Sequence, residues 1–311
     1  MSTDSISADL TGSVDGRTEK ERLYQWLLFG CAALTAFVTV SIVITLAVDA
    51  VTFFRQVNAV AFLTGTEWQS SRDTFGVLPL VSATLIVTVV SAMVAIPVGT
   101  AAAVYLSEYA SDRARSILKP SLEILAGIPT VVYGYLALVY LTPWLRAVGL
   151  DLSLFNLLSA SIMVGIMIIP MVSSISEDAM SAVPDSLREA GYGLGATKYE
   201  VSTGIVIPAS ISGIFSSYIL ALSRAIGETM IVVMAGGMQA RMLNVTNPFA
   251  NLFNSGQTMT AAMVHAVTSD ATGGTPEFYS MFAIGLTLFF ITFAMNLLSN
   301  RIAARYREEY Q

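Results

Sequence analysis

Six stretches of the chain stay apolar for about 20 residues or more, the length an α-helix needs to cross a hydrocarbon layer roughly 30 Å thick. They run near residues 26–48, 77–106, 117–142, 153–176, 209–236 and 278–299, with polar segments between them. The second, 30 residues long, is too short for two crossings of about 17 residues each and counts as one long or tilted helix. Residues 1–22 are polar and mixed in charge and read as a disordered tail. The first apolar run is too long for a signal-peptide core and has no small-residue cleavage site, so it is expected to stay as an anchor. The pattern predicts an all-α membrane protein with a tail (1–22), a first transmembrane helix and outer loop (23–76), a larger transmembrane domain (77–305) and a short tail (306–311).

Composition agrees. The chain is 54% hydrophobic and 12% charged, about half the charged share of a soluble domain, with a mean hydropathy of +0.67. Net charge of -6 and a pI near 4.8 argue against nucleic acid as a partner. Cys31 is the single cysteine, so no disulfide forms within the chain. His265 is the single histidine and has no Cys, Asp or Glu at ligand spacing, so no metal is expected, and nothing resembles a catalytic nucleophile with its base.

Six crossings place both termini on one side, and basic residues choose that side. Arg17, Lys20, Arg22, Arg113, Arg115, Lys119, Arg188, Lys198, Arg301, Arg305 and Arg307 fall on the terminal side, against Arg55, Arg72, Arg146 and Arg241 on the other. The positive-inside rule makes the termini cytoplasmic in a cell membrane, and Glu123 then lies near the inner surface, solvated.

Prolines lie inside three spans: Pro97, Pro129 and Pro170. Each removes a backbone hydrogen bond and predicts a kink, either a static aid to packing or a hinge. Gly99, Gly127, Gly134 and Gly165 near these kinks predict close helix approach.

The polar interruption at 181–208 reads as a helical hairpin. Pro184 and the capping-box spacing of Ser186 with Glu189 predict a helix start between 181 and 187. Gly195 is placed to end that helix in a left-handed turn, and Thr197 with Glu200 predicts a second start, leading towards Pro208. A DNA-binding hairpin needs a basic face, but Arg188 and Lys198 stand against Asp185, Glu189 and Glu200. None of the three lysines follows a glycine, so the chain has no P-loop. A docking element for another protein, or a folded connector, remains.

The order Glu189-Ala190-Gly191, three residues, Gly195, nine residues, Ile205-Val206-Ile207-Pro208 resembles the E-A-A loop of ABC importer permeases, with Gly191 in place of the third Ala and Ile207 in place of Leu. "RAIGETM" (224–230), "GIPTVVYG" (127–134) and "VPDSLREAGYGLGATKYE" (183–200) resemble the permeases of phosphate-specific importers. "QTMTAAMVHAVT" (257–268) and the Met of "GETM" are more similar to their C type than to the A type. The resemblance covers about residues 75–305. It implies the type I importer permease fold, with Glu189, Ala190, Gly191, Gly195 and Pro208 in a cytoplasmic loop between the fourth and fifth spans that couples to an ATPase. It further implies a second, A-type permease subunit, two ATP-binding subunits that hold ATP and Mg, and an extracytoplasmic phosphate-binding protein. No cofactor would be bound by this chain.

Arg224 and Glu228 stand four apart in the fifth span, which predicts that they share a helix face. Each costs about 2.5–3.5 kcal/mol to insert, so they should face the bundle interior and pair. Two readings follow: an ion pair that fixes the helix, or a guanidinium on the path of an anion. The resemblance to phosphate importers favours the path. Other readings of the whole are a permease for another oxyanion, such as sulfate or molybdate, and an ATP-independent anion channel or carrier.

Overall fold

A computed structural model describes residues 14–269 and 273–305 of the chain. They fall into two units, one ending at Asp49 and one starting at Ala50. Four helices are long and apolar enough to cross a membrane, and two bent helix pairs bring the number to six.

The first unit holds most of α1 (Val14–Gln56). This helix begins inside the segment read above as a disordered tail. Glu19, Lys20, Glu21 and Arg22 are acceptable helix formers, and a helix already nucleated by the apolar run extends at the gain of one hydrogen bond per residue. Residues 1–13 and 306–311 lie outside the described residues. From Glu21 to Val40 every residue is exposed, including Trp26 and Phe37, which suits an apolar cylinder surrounded by lipid.

The second unit opens with structure that the hydropathy pattern did not show. A short helix, α2 (Ala59–Thr64), is capped by Asn58, and a two-residue antiparallel pair, β1 (Trp68–Gln69) with β2 (Thr74–Phe75), follows it. Phe53 meets Phe62 and Phe75 edge-on, each at 5.4 Å between ring centres. This aromatic knot packs with Leu80, Met259 and Ile284 into a core at one end of the bundle.

Three helices form the centre: α3 (Leu78–Val104, continued by a π-helical turn to Tyr109), α7 (Leu157–Ser181) and α11 (Ile211–Ile226). The α3–α7 contact is the most extensive among the described elements. Glycine makes it possible, because a Cβ on Gly99 would lie 2.7 Å from Val172 Cβ and one on Gly165 3.0 Å from Ser91 O. Small hydroxyls add hydrogen bonds between helices: Ser91 Oγ to Ser161 O (2.8 Å), Thr100 Oγ1 with Tyr218 Oη (2.7 Å) and Ser176 Oγ with Ser217 Oγ (2.8 Å). Pro97 and Pro170 sit within continuous helices.

Pro129 does more than kink its span. The third crossing breaks into α4 (Asp112–Gly127) and a second rod of α5 (Thr130–Leu136), a π-helical turn and α6 (Thr142–Ala147), with 89° between them. Proline excludes the helical region for the residue before it, and Ile128 is accordingly extended at φ -67°, ψ 129°. Gly127 has open space around it and makes no close approach, whereas a Cβ on Gly134 would lie 2.7 Å from Met234 Cβ in the fifth crossing. That crossing is also broken: α11 stops at Ile226, and Gly227–Thr229 lead into a π-helical turn, Val232–Gly236.

Between the fourth and fifth crossings stands the hairpin, α8 (Asp185–Gly193), α9 (Lys198–Val201), a π-helical turn (Ser202–Val206) and α10 (Ile207–Ala209). At the other end of the bundle the chain forms α12 (Pro248–Phe253) and α13 (Met259–Thr268). The latter is buried through Met259, Ala261, Ala262 and Ala266, and α14 (Pro276–Arg305) follows.

Overpacking one of these glycine contacts tests the arrangement. Gly165→Val should destabilise the detergent-solubilised protein by about 1–3 kcal/mol, while Gly204→Ala, in open space, should leave its thermal midpoint nearly unchanged. Equal midpoints for both variants would contradict the packing.

Candidate functional site

The hairpin is built as its sequence predicts, with one change. α8 starts at Asp185 directly after Pro184, without a side-chain cap, so the proline sets the start and not the Ser186–Glu189 spacing. It ends in a Schellman motif: Gly195 takes φ +85°, its N–H donates to Tyr192 O (2.9 Å), and Ala196 N–H donates to Gly191 O (3.1 Å). Thr197 and Glu200 then close a reciprocal capping box. The Thr197 backbone N–H, then its hydroxyl, hold the Glu200 carboxyl below its ordinary pKa.

Gly191 is buried where the two arms of the hairpin meet. A Cβ there would lie 2.8 Å from Ile205 Cδ1 and 3.0 Å from Val201 Cγ2, which gives a reason for glycine where alanine was expected. Pro208 lies just before the 68° bend between Lys198–Ala209 and α11. It lacks an N–H for the i−4 carbonyl, and the preceding π-helical turn absorbs that loss. Glu189 and Ala190 are exposed, and beside them Leu194 is 90% and Tyr199 69% exposed. An apolar tip on a well-ordered hairpin is a surface suited to a protein partner.

What fastens the hairpin to the bundle was not read from the sequence. Arg188 Nη2 lies 3.2 Å from Glu108 Oε1, at the end of the α3 extension, and donates at 2.8 Å to Met180 O near the end of α7. Its Nη1 donates to Val183 O and, at 3.1 Å, to Asp185 Oδ1. Ser107 Oγ also donates to Glu108 (2.9 Å), so this buried carboxylate is satisfied twice. Lys198 Nζ adds a cation–π contact with Tyr109, 5.2 Å from the ring centre. Below these, Val201 and Val206 join Ala103, Met180, Val183 and Ile214 in one apolar cluster. The only sequence sign was a Glu at the polar end of the second span, with no indication of its partner.

A cavity of about 440 Å³ lies against α4, α7 and α11 on the hairpin side. It runs from Met167 and Pro170, midway along α7, to Glu177, and Lys119, Glu123 and Arg224 share its wall. Lys119 Nζ is 3.0 Å from the buried Glu177 Oε2, an ion contact outside hydrogen-bond geometry, and Arg115 Nε is 3.7 Å from its Oε1. Arg224 is different. It is exposed to the cavity and has no hydrogen bond or ion pair among the described residues.

The expected Arg224–Glu228 pair does not form. The helix ends at Ile226, and the turn at Gly227 removes the i,i+4 geometry on which the pairing rested. Glu228 is buried, accepts from Ile231 N–H (3.2 Å), and its carbonyl accepts from Thr260 Oγ1 (2.7 Å), so it joins the broken fifth crossing to α13. His265 is exposed, and no group of three potential metal ligands occurs among the described residues.

These features define a multi-pass helical membrane protein with two broken crossings and an ordered hairpin between its fourth and fifth spans. The chain belongs to the family of binding-protein-dependent transport system inner membrane components, whose model matches residues 95–308. A probable ABC transporter permease protein, YqgH, of Bacillus subtilis is 32% identical over 97% of this chain and 96% of its own length. The phosphate transport system permease protein PstC of Mesorhizobium japonicum is 33% identical over 75% of each chain. Among solved structures, a bacterial ABC transporter involved in the import of the acidic polysaccharide alginate shares the fold at a TM-score of 0.65, 15% identity and coverage of 94% of this chain and 100% of that one. The MetNI methionine ABC transporter does so at 0.54, 17%, 75% and 95%. As a member of this family the chain is a non-catalytic permease subunit, and ATP hydrolysis belongs to a separate subunit.

Arg188→Met should leave Glu108 buried without its cation, at a cost of about 3–5 kcal/mol, and limited proteolysis within 184–208 should accelerate at least about tenfold. Glu108→Gln should be milder, because an amide oxygen still accepts from Arg188. Wild-type protease resistance in Arg188→Met would show that the apolar cluster alone holds the hairpin.

Proposed function

We propose that this chain is one of two permease subunits of an ATP-driven importer of inorganic phosphate. The observation that carries the reading is the unpaired Arg224 guanidinium in the wall of a cavity that reaches to the hairpin end of the bundle, in a chain with phosphate transport permeases among its relatives. A planar donor fork free of any carboxylate partner fits the oxygens of a tetrahedral anion. In this reading Arg224 lies on the anion path, and Glu228 holds the break that exposes it.

The hairpin is the docking element for an ATP-hydrolysing subunit, with Glu189, Ala190 and the apolar tip at Leu194 forming the contact and Gly191, Gly195 and Pro208 fixing its shape. A second permease of A type completes the path, two ATPase subunits hold ATP and Mg²⁺, and an extracytoplasmic binding protein delivers phosphate. The basic-residue asymmetry supports cytoplasmic termini and a cytoplasmic hairpin.

Uptake by the reconstituted complex tests the substrate. Labelled phosphate should accumulate with ATP hydrolysis, sulfate and molybdate should not, and Arg224→Gln should reduce phosphate uptake about tenfold or more at unchanged complex yield. Wild-type uptake by a well-assembled Arg224→Gln complex would remove Arg224 from the path. Preferential sulfate or molybdate uptake would change the substrate, and uptake without ATP would replace the importer by a carrier.

Orientation is tested by thiol labelling in a Cys31→Ser background. With an impermeant reagent on intact cells, Thr66→Cys and Thr246→Cys should react and Thr197→Cys should not; all three positions are exposed. Labelling at 197 would invert the orientation and remove the hairpin from the cytoplasm.

A further inference from the structure

At the end of the bundle away from the hairpin, the chain between the fifth crossing and α13 folds back on itself and carries a second cationic position, Arg241, which is exposed. Its two strands of chain are tied by Gly256 N–H to Gly236 O (3.0 Å) and Gln257 N–H to Gln239 O (3.1 Å). It is fastened to the start of α7 by Ser153 N–H to Phe253 O (2.8 Å) and Leu157 N–H to Asn254 O (3.2 Å). Gly237 closes the turn at φ +89°, where a Cβ would collide with Ser255. Within it, Asn244 N–H donates to Asn251 Oδ1 at 2.7 Å and Asn251 Nδ2 donates back to Asn244 O at 2.9 Å. Hydrogen bonds therefore define the segment along most of its length.

Arg241 stands where two cavities, of about 220 and 510 Å³, share a wall. The smaller is also lined by Ser82, Asn244, Asn251 and Asn254, and Ser255 borders both. Among the described residues, Arg241 is the only ionisable one lining either cavity. Of its five N–H donors one reaches Gln239 Oε1 (2.6 Å), and the others have no acceptor among the described residues. A guanidinium with open donors, beside hydroxyls and amides and with no carboxylate in the lining of its cavities, attracts an oxyanion and repels a cation.

Position gives this site its role. Ser82, which borders the Arg241 site, and Leu106, at the hairpin end of the Arg224 cavity, lie 24 residues apart on α3 and its extension, about 36 Å at helical rise, and among the described residues none lines both the Arg224 cavity and either Arg241 cavity. We infer that Arg241 forms a receiving site for a tetrahedral oxyanion at the mouth opposite the hairpin, separate from Arg224, where the anion released by the binding protein first contacts the permease. This inference rests on the importer reading above. It assigns the anion's first contact to the permease itself, with Arg241 as the charge and Ser82, Asn254 and Ser255 as the polar surround.

Charge restoration in the assembled complex separates this role from a structural one. Arg241→Cys in the Cys31→Ser background is reconstituted with saturating anion-loaded binding protein, and maximal ATP-driven uptake of labelled phosphate is measured before and after thiol modification. Uptake should fall about tenfold or more in the variant, recover substantially with a cationic methanethiosulfonate, and stay low with an anionic one. The concentration of binding protein giving half-maximal rate should not change. Unreduced uptake, equal effects of the two reagents, or a rise in that half-maximal concentration at an unchanged maximal rate would overturn the proposal, the last by assigning Arg241 to a protein contact. If the wild-type complex carries an anion other than phosphate, the substrate reading fails by itself, and the same series run with the carried anion still decides the role of Arg241.

Discussion

The buried pair of Arg188 and Glu108 is the constraint on which the rest of this structure depends. A carboxylate taken out of water without a cation costs several kcal/mol, so Glu108 cannot part from Arg188 cheaply. The same guanidinium binds the Met180 and Val183 carbonyls at the end of α7. One side chain thus joins the hairpin to the ends of the two helices that pack most extensively, and the apolar cluster of Val183, Val201 and Ile214 seals the junction. A push on α8 reaches α3 and α7 together.

What those helices surround is set by two breaks. Pro129 divides the third crossing and Gly227 ends the helix of the fifth, and Gly134 brings the two broken crossings into contact at Met234. Discontinuous helices leave backbone polar groups that a membrane tolerates only inside protein or along a wet cavity. Arg224 stands just before the second break and is left unpaired by it. The break therefore leaves Arg224 available in the cavity wall instead of paired with Glu228.

Much of this was legible in the sequence because it depended on local rules. Six apolar runs correspond to four membrane-length helices and two bent helix pairs, Gly195 gave the left-handed turn, and Thr197 with Glu200 gave the second helix start. Local rules failed where several weak signals met. Gly127-Ile128-Pro129 was read as a kink and is an 89° break, because the extended residue before proline adds to the lost hydrogen bond. Arg224 and Glu228 were read as helical neighbours, although Gly227 between them is a helix end. The burial of α13 comes from α3, α14 and the aromatic knot, which no local pattern reveals. The Arg188–Glu108 pair spans 80 residues, and spacing alone does not reveal such a partnership.

The central claim is that the hairpin and the central helices move as one body. Spin labels at Tyr192→Cys on the hairpin and Val98→Cys on α3, both exposed positions, in a Cys31→Ser background would report the distance between them in the assembled transporter, nucleotide-free and with ATP trapped. The account predicts one unchanged distance distribution in the two states, which Arg188→Met should broaden. A hairpin that shifts relative to α3 on trapping ATP, with Arg188 intact, would contradict it.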